Sequence, residues 1–225
     1  MRDAGASVFV QGWTEHDARQ PWGAEAGGTE SVARELGVGF VEANFADPAA
    51  PAAVLGAAAE ALGSLDILVV NHARSGHGRL EDLAADELDA FLHENVRASL
   101  LLVREFAARH DDSRPGGRVV LFTSGQHLAP MAREVAYAVS KGALQQATLT
   151  LADELADRGI TVNAVNPGPT ETGWLAGEEP GQEMPFGRWG DPDDAARLVA
   201  WLCTDDARWI TGQTINSEGG FRRWR

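Results

Sequence analysis

The sequence is short of several things at once. It has one cysteine (Cys203), one tyrosine (Tyr137) and three methionines in 225 residues. A lone cysteine cannot close an internal disulfide, so the chain is no disulfide scaffold and a reducing compartment is the default. Positive charge is scarce: 19 Lys and Arg against 33 Asp and Glu leave a net charge of −14. A field of that sign repels phosphate backbones and anionic bilayers, which argues against nucleic-acid and membrane partners and for small soluble ones. No apolar run approaches the ~20 residues that cross a bilayer. The opening "MRDAGASVFVQG" also lacks the h-region of a secretory signal, so a cytoplasmic location is expected. The six histidines show no ligand spacing and no metal is expected.

What is present is an alternation. Short β-branched runs ("SVFV", "GFVEA", "DILVV", "RVVLFT", "ITVNAV") are separated by Ala/Leu/Glu-rich segments of helical period. Strand then helix, repeated, predicts an α/β fold, a parallel sheet with helices on both faces in a three-layer α/β/α arrangement. "DILVV" and "RVVLFT" are apolar almost throughout, as strands covered on both sides should be. The length fits one domain, residues 1–225. The Gly/Pro-rich residues 173–192 carry Trp174, Met184 and Phe186 and read as a mobile substrate lid or an ordered surface loop.

In such sheets ligands bind beyond the carboxyl ends of the strands. Three runs end in polar or permissive residues there: Asn71-His72-Ala73-Arg74, Ser124-Gly125, and Asn166-Pro167-Gly168-Pro169-Thr170. The only tyrosine lies in "AYAVSKGAL", four residues before Lys141 and thirteen after Ser124. Positions i and i+4 share a helix face. A free phenol titrates near ~10; an adjacent ammonium favours the phenolate, and a fall of ~2 to 3 units needs about 3 to 4 kcal/mol. Such a phenol serves as general acid toward a carbonyl oxygen and general base toward an alcohol. The alternative is a packing tyrosine beside a solvated lysine. His72, His77 and His127 are read as solvated or packing residues, and Cys203 as a core residue.

Taken together these motifs resemble the short-chain dehydrogenase/reductase family, most of all its 3-oxoacyl-carrier-protein reductase-like members. The resemblance covers residues 4–221. It rests on the Ser124 to Tyr137 spacing, the Tyr137-x-x-x-Lys141 motif, Asn71-His72-Ala73-Arg74 in place of N-N-A-G, Asn95-Val96, "NAVNPGPTET" and "WITGQTINSEGG". It implies a doubly wound, Rossmann-like parallel sheet. It also implies NAD(P)(H)-dependent ketoreductase or alcohol dehydrogenase activity on a small carbonyl or alcohol substrate. Ser124, Tyr137, Lys141 and Asn95 would be catalytic: Tyr137 exchanging the proton, Ser124 polarising the carbonyl, Lys141 holding the nicotinamide ribose and lowering the tyrosine pKa, Asn95 anchoring a relay water. Asn44, Phe45, Asn71, Ala73, Pro167, Gly168, Thr170 and Thr172, with Tyr137 and Lys141, would bind the cofactor. A homodimer or homotetramer through two long helices, residues 87–110 and 134–158, is implied as well.

One family element is missing. The opening strand and its T-G-x-x-x-G-x-G turn have no counterpart, and "GAEAGG" (residues 23–28) does not follow a strand, so it reads as a linker. The first strand normally lies between the second and the fourth, so its neighbours must close up and pair directly, borrow a strand from another chain, or leave the protein marginally stable, and much of the phosphate site goes with it. Two accounts stay open: a shortened form of a longer protein, which is favoured, or a protein that has given up dinucleotide binding. The second would be a cofactor-independent isomerase, lyase or cyclase, or a non-catalytic family member. Where a nucleotide binds, NADP(H) is preferred over NAD(H), because "VFVQGW" offers no acidic residue for a ribose 2′-hydroxyl while His16 and Arg19 could meet a 2′-phosphate. Arg74, where the family has glycine, crowds the cofactor or touches an acidic substrate.

Overall fold

The computed structural model describes residues 1–20, 23, 24, 26–114, 116–173, 175 and 177–224, apart from the Asp3 side chain. Trp174 of the proposed lid and Glu25 of "GAEAGG" lie outside the described residues. Among the described residues there are six strands: β1 (Phe9–Gly12), β2 (Gly39–Glu42), β3 (Ile67–Val70), β4 (Arg118–Phe122), β5 (Thr161–Asn166) and β6 (Thr214–Asn216). The helices are α1 (Thr14–Asp17), α2 (Gly28–Leu36), α3 (Ala50–Leu62), α4 (Ala85–Phe91), α5 (Ala98–Arg109), α6 (Val135–Leu155) and α7 (Pro192–Leu202), with short 3₁₀ turns between some of them.

Every strand pairing is parallel. β4 and β5 hold the centre of a four-stranded sheet of order β3-β4-β5-β6, which is why their side chains are buried nearly without a break. Alternate residues serve opposite faces. Val119, Leu121, Val162 and Ala164 join Leu102, Val103 and Phe106 of α5 and Leu155 of α6 on one side. Val120 and Val165 meet Val199 and Leu202 of α7 on the other. Helix α7 starts sharply because Pro192 follows Asp191, whose side chain accepts from the Asp193 amide within a capping box.

The two long helical segments run over residues 85–109 and 135–158, close to the expected ranges. The first is interrupted: a π-helical stretch, Leu92–Arg97, joins α4 to α5. Such a bulge turns side chains off the regular face and often marks a functional position.

The sheet does not close up around the missing strand. β1 pairs with β2 alone, in a separate two-stranded sheet, and β3 pairs only with β4. Between their free edges runs a cleft of about 900 Å³, lined along its length by Val8, Phe9, Val10 and Gln11 on one side and Ile67, Leu68 and Val69 on the other. The β1–β2 pair stays attached because Phe9 and Val41 pack on the core that contains Val54, Leu55 and Ala58 of α3. Direct pairing of the two neighbours, one of the outcomes open from the sequence, is not what the described residues show.

Candidate active site

The carboxyl ends of β3, β4 and β5 bring Asn71, Ser124 and Pro167-Gly168 to one edge of the four-stranded sheet. Helix α6 brings Tyr137 and Lys141 up to β4. The Ser124 hydroxyl stands close enough to the Tyr137 phenol to favour its ionised form. Lys141 is buried, its Nζ donates to the Phe122 carbonyl at 2.9 Å, and it lies 5.8 Å from the centre of the Tyr137 ring.

The protonation state departs from the sequence expectation. Burial pushes the Tyr137 phenol above its ordinary value; the nearby Ser124 hydroxyl offsets this in part, and the Glu134 carboxylate adds to it. Burial also pushes Lys141 down to about 8. The ammonium group is turned to a backbone carbonyl, so desolvation of the phenol outweighs its attraction. At neutral pH the phenol is a protonated acid.

Asn95 is fully buried in the π-helical stretch. Its Oδ1 accepts from the Arg74 amide at 2.6 Å, and its Nδ2 donates to the Arg74 carbonyl and to Ser140 Oγ, both at 2.9 Å. Ser140 Oγ in turn donates to the Tyr137 carbonyl at 2.8 Å. The side chain thus ties the strand-end loop after β3 to the turn of α6 that carries Tyr137. Both its donors are committed to protein groups.

Arg74 is not a free cation. It pairs with the largely buried Glu94 at 3.0 Å and lies over the Phe91 ring. His72 is bonded through Nε2 to the Glu94 carbonyl at 2.8 Å and packs on Phe45, with ring centres 4.3 Å apart; burial brings it down to about 4, so it is neutral. The histidine is therefore a packing residue at the mouth of the cleft. Burial pushes the Cys203 thiol up to about 11, which keeps it unreactive. Among the described residues no group of three or more His, Cys, Asp or Glu could hold a metal, and no helix is long and apolar enough to cross a membrane.

A dinucleotide would find its two ends treated differently. At the nicotinamide end Gly168 takes φ +67°, and a Cβ there would fall within 3.0 Å of Glu218, so only glycine allows this approach. Thr170 Oγ1 closes the turn onto the Pro167 and Gly168 carbonyls at 3.3 and 3.2 Å; Thr172 is exposed. At the adenosine end Asn44 Oδ1 accepts from the Ala46 amide at 2.8 Å, shaping the loop that presents the buried Phe45. Gln11 is spent on the carbonyls of Gly12 and Ala43. At the N-terminus of α2, which stands beside Gly12, the Thr29 amide is closed to phosphate: it donates to Thr14 Oγ1 at 3.1 Å, and the Glu42 carboxylate accepts from the Thr14 amide at 2.8 Å and from the Thr14 hydroxyl.

Described residues of the 173–192 stretch touch the rest of the molecule. Leu175 and Met184 are buried, and Thr170 bridges to Gly190. Sequence reading placed Asn166 at a strand end but missed Glu218 and Arg223, with which it forms a buried polar network; an acidic and a basic residue around a Gly-Gly pair in "SEGGFRR" were the available signal.

A parallel α/β sheet with polar groups gathered at its carboxyl edge defines a Rossmann-like enzyme fold. Comparison with known proteins carries this further. A family model described as enoyl-(acyl carrier protein) reductase matches residues 3–222. An uncharacterized oxidoreductase of Bacillus subtilis, YjdA, is 48% identical over 166 residues, covering 72% of this chain and 66% of that protein, just under two thirds of its length. A versicolorin reductase of Emericella nidulans is 34% identical over 199 residues, 80% of this chain and 74% of that one. Among solved structures, the angucycline C-6 ketoreductase LanV with bound NADP is 31% identical with a TM-score of 0.83, over 96% of this chain and 86% of that one. The chain belongs to the short-chain dehydrogenase/reductase family of oxidoreductases.

Proposed function

We propose that the chain is a ketoreductase-type oxidoreductase that interconverts a small-molecule carbonyl and its alcohol, with NADP(H) as the preferred nicotinamide cofactor. The observation that carries this reading is the meeting of Ser124, at the end of β4, with Tyr137 and the buried Lys141 on α6, whose Nζ lies 5.8 Å from the centre of the Tyr137 ring and donates to the Phe122 carbonyl two residues before Ser124. When bound, the nicotinamide would supply or accept the hydride. It would be held by Asn71, Ala73, Pro167, Gly168 and Thr170 at the strand ends, with Tyr137 and Lys141 facing the ribose and Asn44 and Phe45 the adenine side.

Ser124 donates a hydrogen bond to the substrate carbonyl oxygen, and Tyr137 passes its phenolic proton to that oxygen as an alkoxide develops. Because burial keeps the phenol protonated, the resting site is prepared for reduction; alcohol oxidation needs the phenolate and gains with rising pH. Asn95 acts as a positioning residue for α6 through Ser140. The preference for NADP(H) is supported by the lack of an acidic residue in "VFVQGW", by Arg19, which is exposed though paired with Glu15, and by the NADP bound in LanV. The exposed Val135, Val139 and Leu149 of α6 and Leu100 of α5 support assembly into a homodimer or homotetramer.

A second reading has one observation in its favour. The cleft between β1 and β3 and the engaged Thr29 amide at the α2 N-terminus weaken the pyrophosphate site, which favours an acid–base enzyme that uses Ser124, Tyr137 and Lys141 without nucleotide. Fluorescence titration with NADPH and NADH, followed by turnover of a ketone panel, separates the two. Tighter binding of NADPH and turnover abolished by Tyr137→Phe support the oxidoreductase. Turnover without nucleotide supports the second reading, and absence of both binding and turnover overturns both.

A further inference from the structure

The chain's last described residues fold back onto the serine. Arg223 and Glu218 form a buried, two-pronged ion pair: Nη1 donates to Oε2 at 2.8 Å and Nη2 to Oε1, with the side chains 13% and 7% exposed. Glu218 Oε1 also accepts from Asn166 Nδ2 at 2.7 Å, and Asn166 Oδ1 accepts from the Gly168 amide at 3.1 Å. The guanidinium lies flat against the backbone that follows Ser124. A Cβ on Gly125 would stand 2.1 Å from Nη2 and 2.7 Å from Cζ. The neighbouring Arg222 reaches the other way: its amide donates to the Glu183 carbonyl at 2.9 Å and its Nη1 to the Gln182 carbonyl at 3.3 Å.

Three facts about this arrangement point the same way. The charge of Arg223 is neutralised by a carboxylate in fork geometry, so it has no anion left to attract and serves as a rigid spacer. The spacer fills the space that a side chain on Gly125 would need. The same short segment touches the ends of β4, β5 and β6 and the 181–187 loop. We propose that residues 218–223 form a strap in which Arg223 is a positioning residue for Ser124, holding the serine backbone and the 181–187 loop in one fixed relation. The proposal rests on the reading that Ser124 polarises a substrate oxygen, and it adds a residue that touches neither substrate nor cofactor.

Hydrogen–deuterium exchange on the whole chain tests the strap itself, and turnover tests its use. In Arg223→Ala, peptides over residues 123–129 and 181–187 should exchange about tenfold faster, while those over β4 and β5 stay as they were. Turnover should fall roughly 10- to 100-fold, chiefly in kcat, as misplacement of a reacting group predicts. Arg223→Lys keeps the charge without the planar fork, folds where the alanine variant does not, and should fall between. Trp224→Ala, which removes an exposed neighbour, should match the unaltered chain. Unchanged exchange at 123–129 in both Arg223 variants overturns the strap whatever the activity; faster exchange with undiminished turnover overturns its catalytic use. Ser124→Ala with full turnover would instead sink the oxidoreductase reading and leave the exchange result to decide the strap.

Discussion

Lys141→Met replaces a buried ammonium by an apolar side chain of similar length, and its effect on stability follows from one shift. The amine falls from its ordinary 10.5 to about 8 on folding. Each pKa unit corresponds to ~1.4 kcal/mol, so keeping this amine charged at pH 7 costs the folded state about 3 kcal/mol. The sign is that of a depressed folded pKa. Between about 8 and 10.5 the unfolded chain binds the extra proton, so stability rises with pH; the penalty is complete below about 8 and gone above 10.5. The methionine avoids it but forfeits the hydrogen bond to the Phe122 carbonyl, worth about 1 kcal/mol. The net expectation is a gain of about 2 kcal/mol at pH 7, or roughly 4 to 8 °C in Tm for a chain of this size, with turnover lost. Urea unfolding of both proteins at pH 7 and near pH 10.5 is the assay. A variant less stable than its parent at pH 7, or a difference that does not shrink at high pH, refutes the reasoning.

Further expectations are as follows. Tyr137→Phe removes the proton donor and should lower turnover by roughly 10²- to 10⁴-fold with little change in thermal unfolding, read in the same preparation. His72, brought down to about 4 from 6.5, gives a folded state that loses about 3 kcal/mol as pH falls from 6.5 through 4; acid unfolding of His72→Gln should lack that loss. Asn95→Ala strands the buried amide and carbonyl of Arg74 and should destabilise by about 2 to 4 kcal/mol, measured by urea unfolding. Hydrogen exchange should find the amides of β1 and β3 much less protected than those of β4 and β5, since each has a free edge on the cleft.

How much of this was legible depends on the range over which each feature is encoded. "RVVLFT" announces β4 because a strand covered on both faces needs apolar residues in unbroken order. The i,i+4 placement of Tyr137 and Lys141 follows from helix geometry alone. Where the Lys141 amine goes does not, because its partner is a carbonyl nineteen residues away, and burial of the phenol, which reversed its expected shift, depends on the packing of the whole site. The π-helical turn at Leu92–Arg97 was hidden because one extra residue per turn barely disturbs the apolar period. The Glu218–Arg223 pair was hidden because two charged residues near a chain end read as solvent-exposed until Asn166 and Gly125 are brought beside them.

The cleft divides the molecule along a line that matters for chemistry. Ser124, Tyr137, Lys141 and Asn95 all belong to the side built on β3 to β6, where β4 and β5 are buried throughout and Asn95 ties the loop after β3 to α6. Gly12, Asn44 and the α2 N-terminus belong to the β1–β2 side, which reaches the rest through the packing of Phe9 and Val41 near α3. No backbone ladder crosses between the two sheets. A perturbation of the β1–β2 side, such as Gly12→Ala, whose Cβ would lie 2.1 Å from Thr29 Oγ1, should therefore leave the placement of Ser124 and Tyr137 unmoved. On the proposed function, it should weaken NADPH binding while the turnover of bound complex holds, measured as a rise in KM at constant kcat.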